Sequence, residues 1–184
     1  MKRILFVLAL LPALLAPSCA DDDLQPRRNE TDLEALDRLV PITQSGAGTF
    51  GCLLNGELWI PEGGFVENYI DALASTTNPN NITITVHKRP VSDERDHIMT
   101  IGSIFIVENK SPLDPNSGWF DKNAPGECKD LDVDVMQDNY LLVQFHDTTD
   151  KIISGKFEAV MVNSDCPQDT ARVTEGRFDL PYRD

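Results

Sequence analysis

The sequence predicts an all-β fold: a single antiparallel β-sandwich or small barrel, preceded by a lipidated flexible tether with a candidate short helix. Three observations predict it. Asn55-Gly56 separates two strand-like runs, and both central residues of a type I′ hairpin turn need positive φ, which Asn and Gly tolerate best. Ile82-Thr83-Ile84-Thr85-Val86-His87 alternates apolar and polar residues with the period of a half-buried strand. Further β-branched and aromatic runs recur at near-regular spacing to residue 180, with turn residues between them.

The elements follow in order. Residues 1–18 carry Lys2-Arg3 and then an apolar run from Ile4 to Leu15, which suits a signal peptide. The run is too short to span a bilayer with margin. Ala16-Pro17-Ser18-Cys19 resembles a bacterial lipobox, which implies lipidation of Cys19 as the mature N-terminus, with palmitate among the acyl chains. Residues 19–45 are polar, acidic and Pro-punctuated, as a tether would be. Within them Thr31 and Glu34 have capping-box spacing, Leu33, Leu36 and Val40 recur on one helical face, and Pro41 stops the pattern.

The β domain is assigned to residues 46–184. Its first hairpin pairs Thr49–Leu54 with Glu57–Pro61. A weaker strand covers Tyr69–Ser75, and a long β-branched one Ile98–Val107, where Gly102 is a candidate bulge. Leu131, Val133 and Val135 alternate with Asp130, Asp132 and Asp134. Tyr140–His146 and Ile152–Val162 flank the Asp147-Thr148-Thr149-Asp150 turn, and Arg172–Leu180 follows. Gly155 and Gly176 read as strand starts, Phe157 and Phe178 as core. Arg177 and Asp179 share a face and are expected to pair with each other or with a cross-strand neighbour. Residues 108–129 read as one long loop with three prolines.

Charge narrows the function. Against 16 Lys and Arg stand 30 Asp and Glu in 184 residues, a formal charge of −14. Such acidity opposes binding to nucleic acid, because phosphate is repelled and no basic patch compensates. No GxSxG, SxxK, HExxH, paired CxxC or Gly-rich phosphate loop occurs, so the reading assigns no catalytic residue, no metal site and no cofactor. His87, His97 and His146 match no zinc spacing.

After Cys19, three cysteines remain. An oxidising envelope favours one disulfide. Cys128 and Cys166 lie in polar, loop-like stretches and form the favoured pair; Cys52 sits in a strand, and Cys52–Cys166 is the rival pairing. Trp119 and Phe120 of the long loop, with Trp59 and Tyr69, are the candidate ligand contacts, because aromatic faces stack on sugars.

Thr49-Phe50-Gly51-Cys52, Asn55-Gly56 and Trp59, together with Ile152–Glu158 and Thr174-Glu175-Gly176-Arg177-Phe178-Asp179, resemble the opening and closing strands of a family of Bacteroidetes outer-membrane lipoproteins of unknown function. The similarity covers about residues 39–182. It implies a compact β domain on a lipid tether and carries no activity or catalytic residue. Ala20-Asp21-Asp22-Asp23 resembles the surface-export signal of such lipoproteins, which favours the cell surface over the periplasmic face. The expectation is a non-enzymatic binding or accessory module, held in the outer membrane by its lipid and contacting a glycan or an envelope or host protein. The alternative is a structural subunit of an outer-membrane assembly, and an envelope hydrolase ranks third.

Overall fold

A computed structural model describes residues 30–62, 69–75, 78, 80–88, 97–103, 110–121 and 128–184. Residues 1–29, which include the expected signal peptide, Cys19, the acidic cluster and most of the expected tether before α1, lie outside the described residues. So do residues 104–107 of the long strand expected after Ile98, and parts of the 108–129 segment.

Among the described residues one helix, α1 (Glu30–Asp37), precedes ten strands. They are β1 (Thr49–Leu54), β2 (Glu57–Trp59), β3 (Ile70–Ala74), β4 (Ile82–Lys88), β5 (His97–Ser103), β6 (Gly118–Asp121), β7 (Asp130–Val133), β8 (Tyr140–Asp147), β9 (Ile152–Val162) and β10 (Thr170–Pro181). The sheet runs β2-β1-β10-β9-β7-β6-β5-β4-β3, with β8 on β9, and every ladder is antiparallel. It curls into a half-barrel, so the all-β antiparallel expectation holds.

The core lies on the concave face, where Phe50, Ile84, Met99, Leu141, Phe157, Met161 and Phe178 are buried. The expected hairpin forms: Asn55 and Gly56 have φ of 52° and 84°, and Cys52 pairs with Trp59. Gly155 and Gly176 lie inside β9 and β10 rather than at strand starts. At Gly176 the β9–β10 register shifts, and a Cβ there would lie 2.6 Å from the Phe157 carbonyl oxygen and 2.7 Å from its ring. Gly102 makes no bulge, since it pairs in register with Thr83.

Several boundaries differ from expectation for local reasons. Thr31 lies within helix α1, which is described from Glu30, and the helix ends at Asp37 before reaching Val40. Strand β7 stops at Val133, because the Asp134 carboxylate accepts the Met136 N–H at 3.0 Å and turns the chain; Val135 is 66% exposed in that turn. Strand β6 occupies the middle of the segment read as a loop. The prolines around it masked a four-residue strand that pairs with both β5 and β7.

The half-barrel has two regions, joined by a short strand seam and by the isolated bridges Ser111–Leu141, Glu62–Lys88 and Leu73–Arg183. The β8-β9-β10-β1 ladder is long; the β3-to-β7 meander is short-stranded. Between them, β7 meets β9 only at Asp132–Val162 and Val133–Met161. Asn163 reinforces the seam by donating to the Asp130 carbonyl at 2.7 Å while accepting the Asp165 and Cys166 N–H groups at 2.7 and 2.9 Å.

The covering of the barrel begins before residue 46. Leu39 is buried, and the fully buried Asp179 carboxylate grips the segment that follows. It accepts the Thr43 hydroxyl and the N–H groups of Ser45, Gly46 and Ala47, the Gly46 bond being 2.8 Å. Arg177 instead sits 3.4 Å from Glu175 of its own strand, so it pairs neither with Asp179 nor with a cross-strand neighbour, the two alternatives expected.

Candidate functional site

The ladder registers place a row of polar side chains at one rim of the half-barrel. Lys88 of β4 lies opposite His97 of β5, and His97 opposite Asp121 of β6. One step down the same faces come Val86, Met99 and Trp119, all buried. Side chains alternate along a strand, so Lys88, His97 and Asp121 share the concave side with those core residues. They form a polar lip above an apolar floor, the usual construction of a ligand site in the mouth of a β-barrel.

The floor gathers two of the sequence candidates. Trp59 and Trp119 meet edge to face, with ring centroids 5.5 Å apart at 76°. The His97 ring lies 4.9 Å from Trp119, and its Nε2 is 3.5 Å from an Asp121 carboxylate oxygen. Trp59 and Trp119 are only 4% and 7% exposed, so neither offers an open face for stacking on a sugar, contrary to expectation. Phe120 points to the other side of β6, away from the lip, and is part-exposed. Tyr69, 41% exposed, flanks the edge strand β3 rather than the floor. The accessible groups at this rim are therefore those of the polar lip. Among the described residues the buried Trp59 indole Nε1–H has no hydrogen-bond partner, and such an orphan donor costs about 1–3 kcal/mol.

Cys52, opposite Trp59, completes the floor and is free. Burial pushes its thiol far above the usual range, the Lys88 charge opposing only in part, so it stays protonated and packs as an apolar group. Cys128 and Cys166 are joined by a disulfide, with Cα atoms 5.7 Å apart, and the rival Cys52–Cys166 pairing is not formed. The bond ties the approach to β7 to the β9–β10 hairpin, across the seam. The Asp169 carboxylate lies beside the two sulfurs, which the disulfide already occupies.

Of the other candidates, Asp130 and Asp132 are exposed on the outer face of β7. Asp114 orders its own turn by accepting the Asn116 N–H at 2.8 Å. A separate hollow of about 470 Å³ lies between α1 and the β1–β2 turn, with Glu34, Arg38, Asn55 and Glu57 in its walls. It gathers no aromatic floor and no buried unpartnered group. Nothing in the spacing of His97 and Asp121 marks them as partners; only the β5–β6 register brings them together.

The fold and site define a class: a small antiparallel half-barrel with a polar-lipped, aromatic-floored mouth. Comparison with protein-family models, with curated proteins and with solved structures finds no match.

Proposed function

We propose that the protein is a lipid-anchored, non-enzymatic binding module of the outer membrane, exposed at the cell surface, which takes a polar ligand at the Lys88–His97–Asp121 lip. The single observation that carries the binding reading is the convergence of that lip on the Trp59–Trp119 floor with its unpartnered indole donor. An ammonium, an imidazole, a carboxylate and an indole N–H offer both donors and acceptors to a hydroxyl-rich ligand, so a glycan suits the lip best. The address is supported by the lipobox around Cys19, the acidic cluster behind it and the resemblance of the end motifs to outer-membrane lipoproteins.

Both tryptophans of the chain lie in the floor, so intrinsic fluorescence reports on this site alone. Titration of the mature domain with a glycan panel is expected to shift emission for at least one glycan, and Asp121→Asn to weaken that response at least tenfold. A panel that leaves emission unchanged, or a response indifferent to Asp121→Asn and His97→Gln, would refute the site. The address is tested by Cys19→Ala, which is expected to release the protein from membranes, and by protease shaving of intact cells, which is expected to remove the domain while a periplasmic control survives.

One feature favours the structural-subunit reading. Val135 and Met136 stand 66% and 87% exposed on a turn held by Asp134 and Asn139, a rigid apolar knuckle. That reading predicts a fixed partner that co-purifies in mild detergent and is lost on Met136→Asp, with the glycan response unchanged.

A further inference from the structure

Residues 182–184 each engage a different element. Tyr182 is buried, and its ring lies 5.4 Å from that of His146 on β8. The Tyr182 hydroxyl and His146 Nε2 are hydrogen-bonded at 3.0 Å, and the Tyr182 N–H donates to the Lys151 carbonyl at 2.8 Å. Arg183 reaches β3. Its N–H donates to the Ala72 carbonyl at 3.0 Å, its carbonyl accepts the Ala74 N–H at 2.8 Å, and its guanidinium binds the Asp71 carboxylate at 3.0 and 2.7 Å. Asp184 receives the Lys151 ammonium at 2.7 and 2.8 Å.

Strand β3 is the last strand in the sheet order. Its parallel bridge to Arg183 therefore joins the meander to the end of β10, on the side away from the seam. Residues 182–184 clasp the half-barrel. Their one buried side chain, Tyr182, rests on an ionisable ring.

We propose that this clasp is an acid-sensitive latch: protonation of His146 loosens Tyr182, withdraws Arg183 from Ala72 and Ala74, and frees the outer edge of β3. The groups that face the His146 ring are Tyr182 and Lys151, with Asp147 beside it on β8 and Asp184 held by Lys151. Burial disfavours the imidazolium, Asp147 opposes that effect, and the Lys151 ammonium adds to it, so the His146 pKa lies below its ordinary value of 6.5. A depressed histidine pKa means that the unfolded or unlatched chain takes up the proton more readily. The latch is thus fully closed above pH 6.5 and weakens as pH falls through 6.5 toward the folded value. The Asp150 and Thr149 N–H groups hold the Asp147 carboxyl below its ordinary 3.8, so it stays ionised while the ring titrates.

The Ala74 amide, bonded to the Arg183 carbonyl, reports on the latch directly. Amide exchange of the mature protein, followed by NMR at pH 7.5 and 5.5 and corrected for intrinsic exchange, should show Ala74 losing protection in acid relative to the β9 amides. The loss should approach tenfold for each unit by which the folded His146 pKa lies below the free one. His146→Gln, which keeps a polar group against Tyr182 but cannot titrate, should abolish the pH dependence. Titration of the His146 ring in the wild-type protein supplies a measurement that needs no variant, and its midpoint should coincide with the loss of Ala74 protection. Ala74 protection that follows the β9 amides at both pH values, or an equal acid loss in His146→Gln, would overturn the proposal.

Discussion

The β9–β10 ladder and the β6–β7 pair belong to one sheet but are held in different ways. Strands β9 and β10 are 11 and 12 residues long and stay paired from Ile152–Pro181 to Val162–Thr170, with Phe157 and Phe178 buried along them. Strands β6 and β7 have four residues each, and β7 reaches the ladder through two residue pairs. The long ladder is secured by its own hydrogen bonds and core packing. The meander is fastened at its borders by the Cys128–Cys166 disulfide and Asn163 at the seam, the Ser111–Leu141 and Glu62–Lys88 bridges, and the 182–184 clasp on the other side. The polar lip stands on the fastened region. The proposed binding groups thus sit on the short-stranded part of the molecule, where local opening is expected to cost least.

The comparison breaks first in the ladder. Phe157→Ala empties the centre of the core, where Phe157 packs 5.0 Å from Phe50 and 6.4 Å from Phe178. It is expected to cost about 3–5 kcal/mol in denaturant unfolding, lost across both regions together because the core is shared. Next comes the seam. Cys128→Ser with Cys166→Ser opens a link across 38 residues and is expected to cost about 2–4 kcal/mol. Exchange protection should fall in β6 and β7 far more than in β9 and β10.

Asp179→Asn follows. Burial alone would raise the Asp179 pKa, but the donors from Thr43, Ser45, Gly46 and Ala47 outweigh it and hold the carboxyl below its ordinary 3.8. The substitution is expected to cost about 2 kcal/mol and to free the 43–47 segment. In the wild type this contribution is complete above pH 3.8 and lost as pH falls through the lower folded value, so acid unfolding should be less steep in the variant. The smallest effect belongs to Met136→Ser, 87% exposed, which should change stability by less than about 0.5 kcal/mol.

Legibility in the sequence followed the same division. The β1–β2 hairpin, β4, β8, β9 and β10 were readable because their alternation is long and their turns carry Asn-Gly or Asp-rich signals. Strand β6 was not, since four residues among prolines carry too little periodicity and its pairing is entirely non-local. The aromatic candidates Trp59 and Trp119 were identifiable as residues, yet their burial was not, because it arises from β2 and β6 facing each other across the curl. The lip of Lys88, His97 and Asp121 needs two strand registers, β4–β5 and β5–β6, to assemble, and the clasp rests on single residues reaching back over more than 100 positions, as Arg183 does to Asp71.

The central claim is that a self-sufficient ladder carries a fastened meander. Hydrogen exchange on the protein, oxidised and then reduced, tests it most directly. The account predicts that β9, β10 and β1 exchange slowest in both states, while reduction of Cys128–Cys166 accelerates β6 and β7 selectively. Uniform protection across the sheet, or a loss on reduction shared equally by β9 and β10, would contradict it.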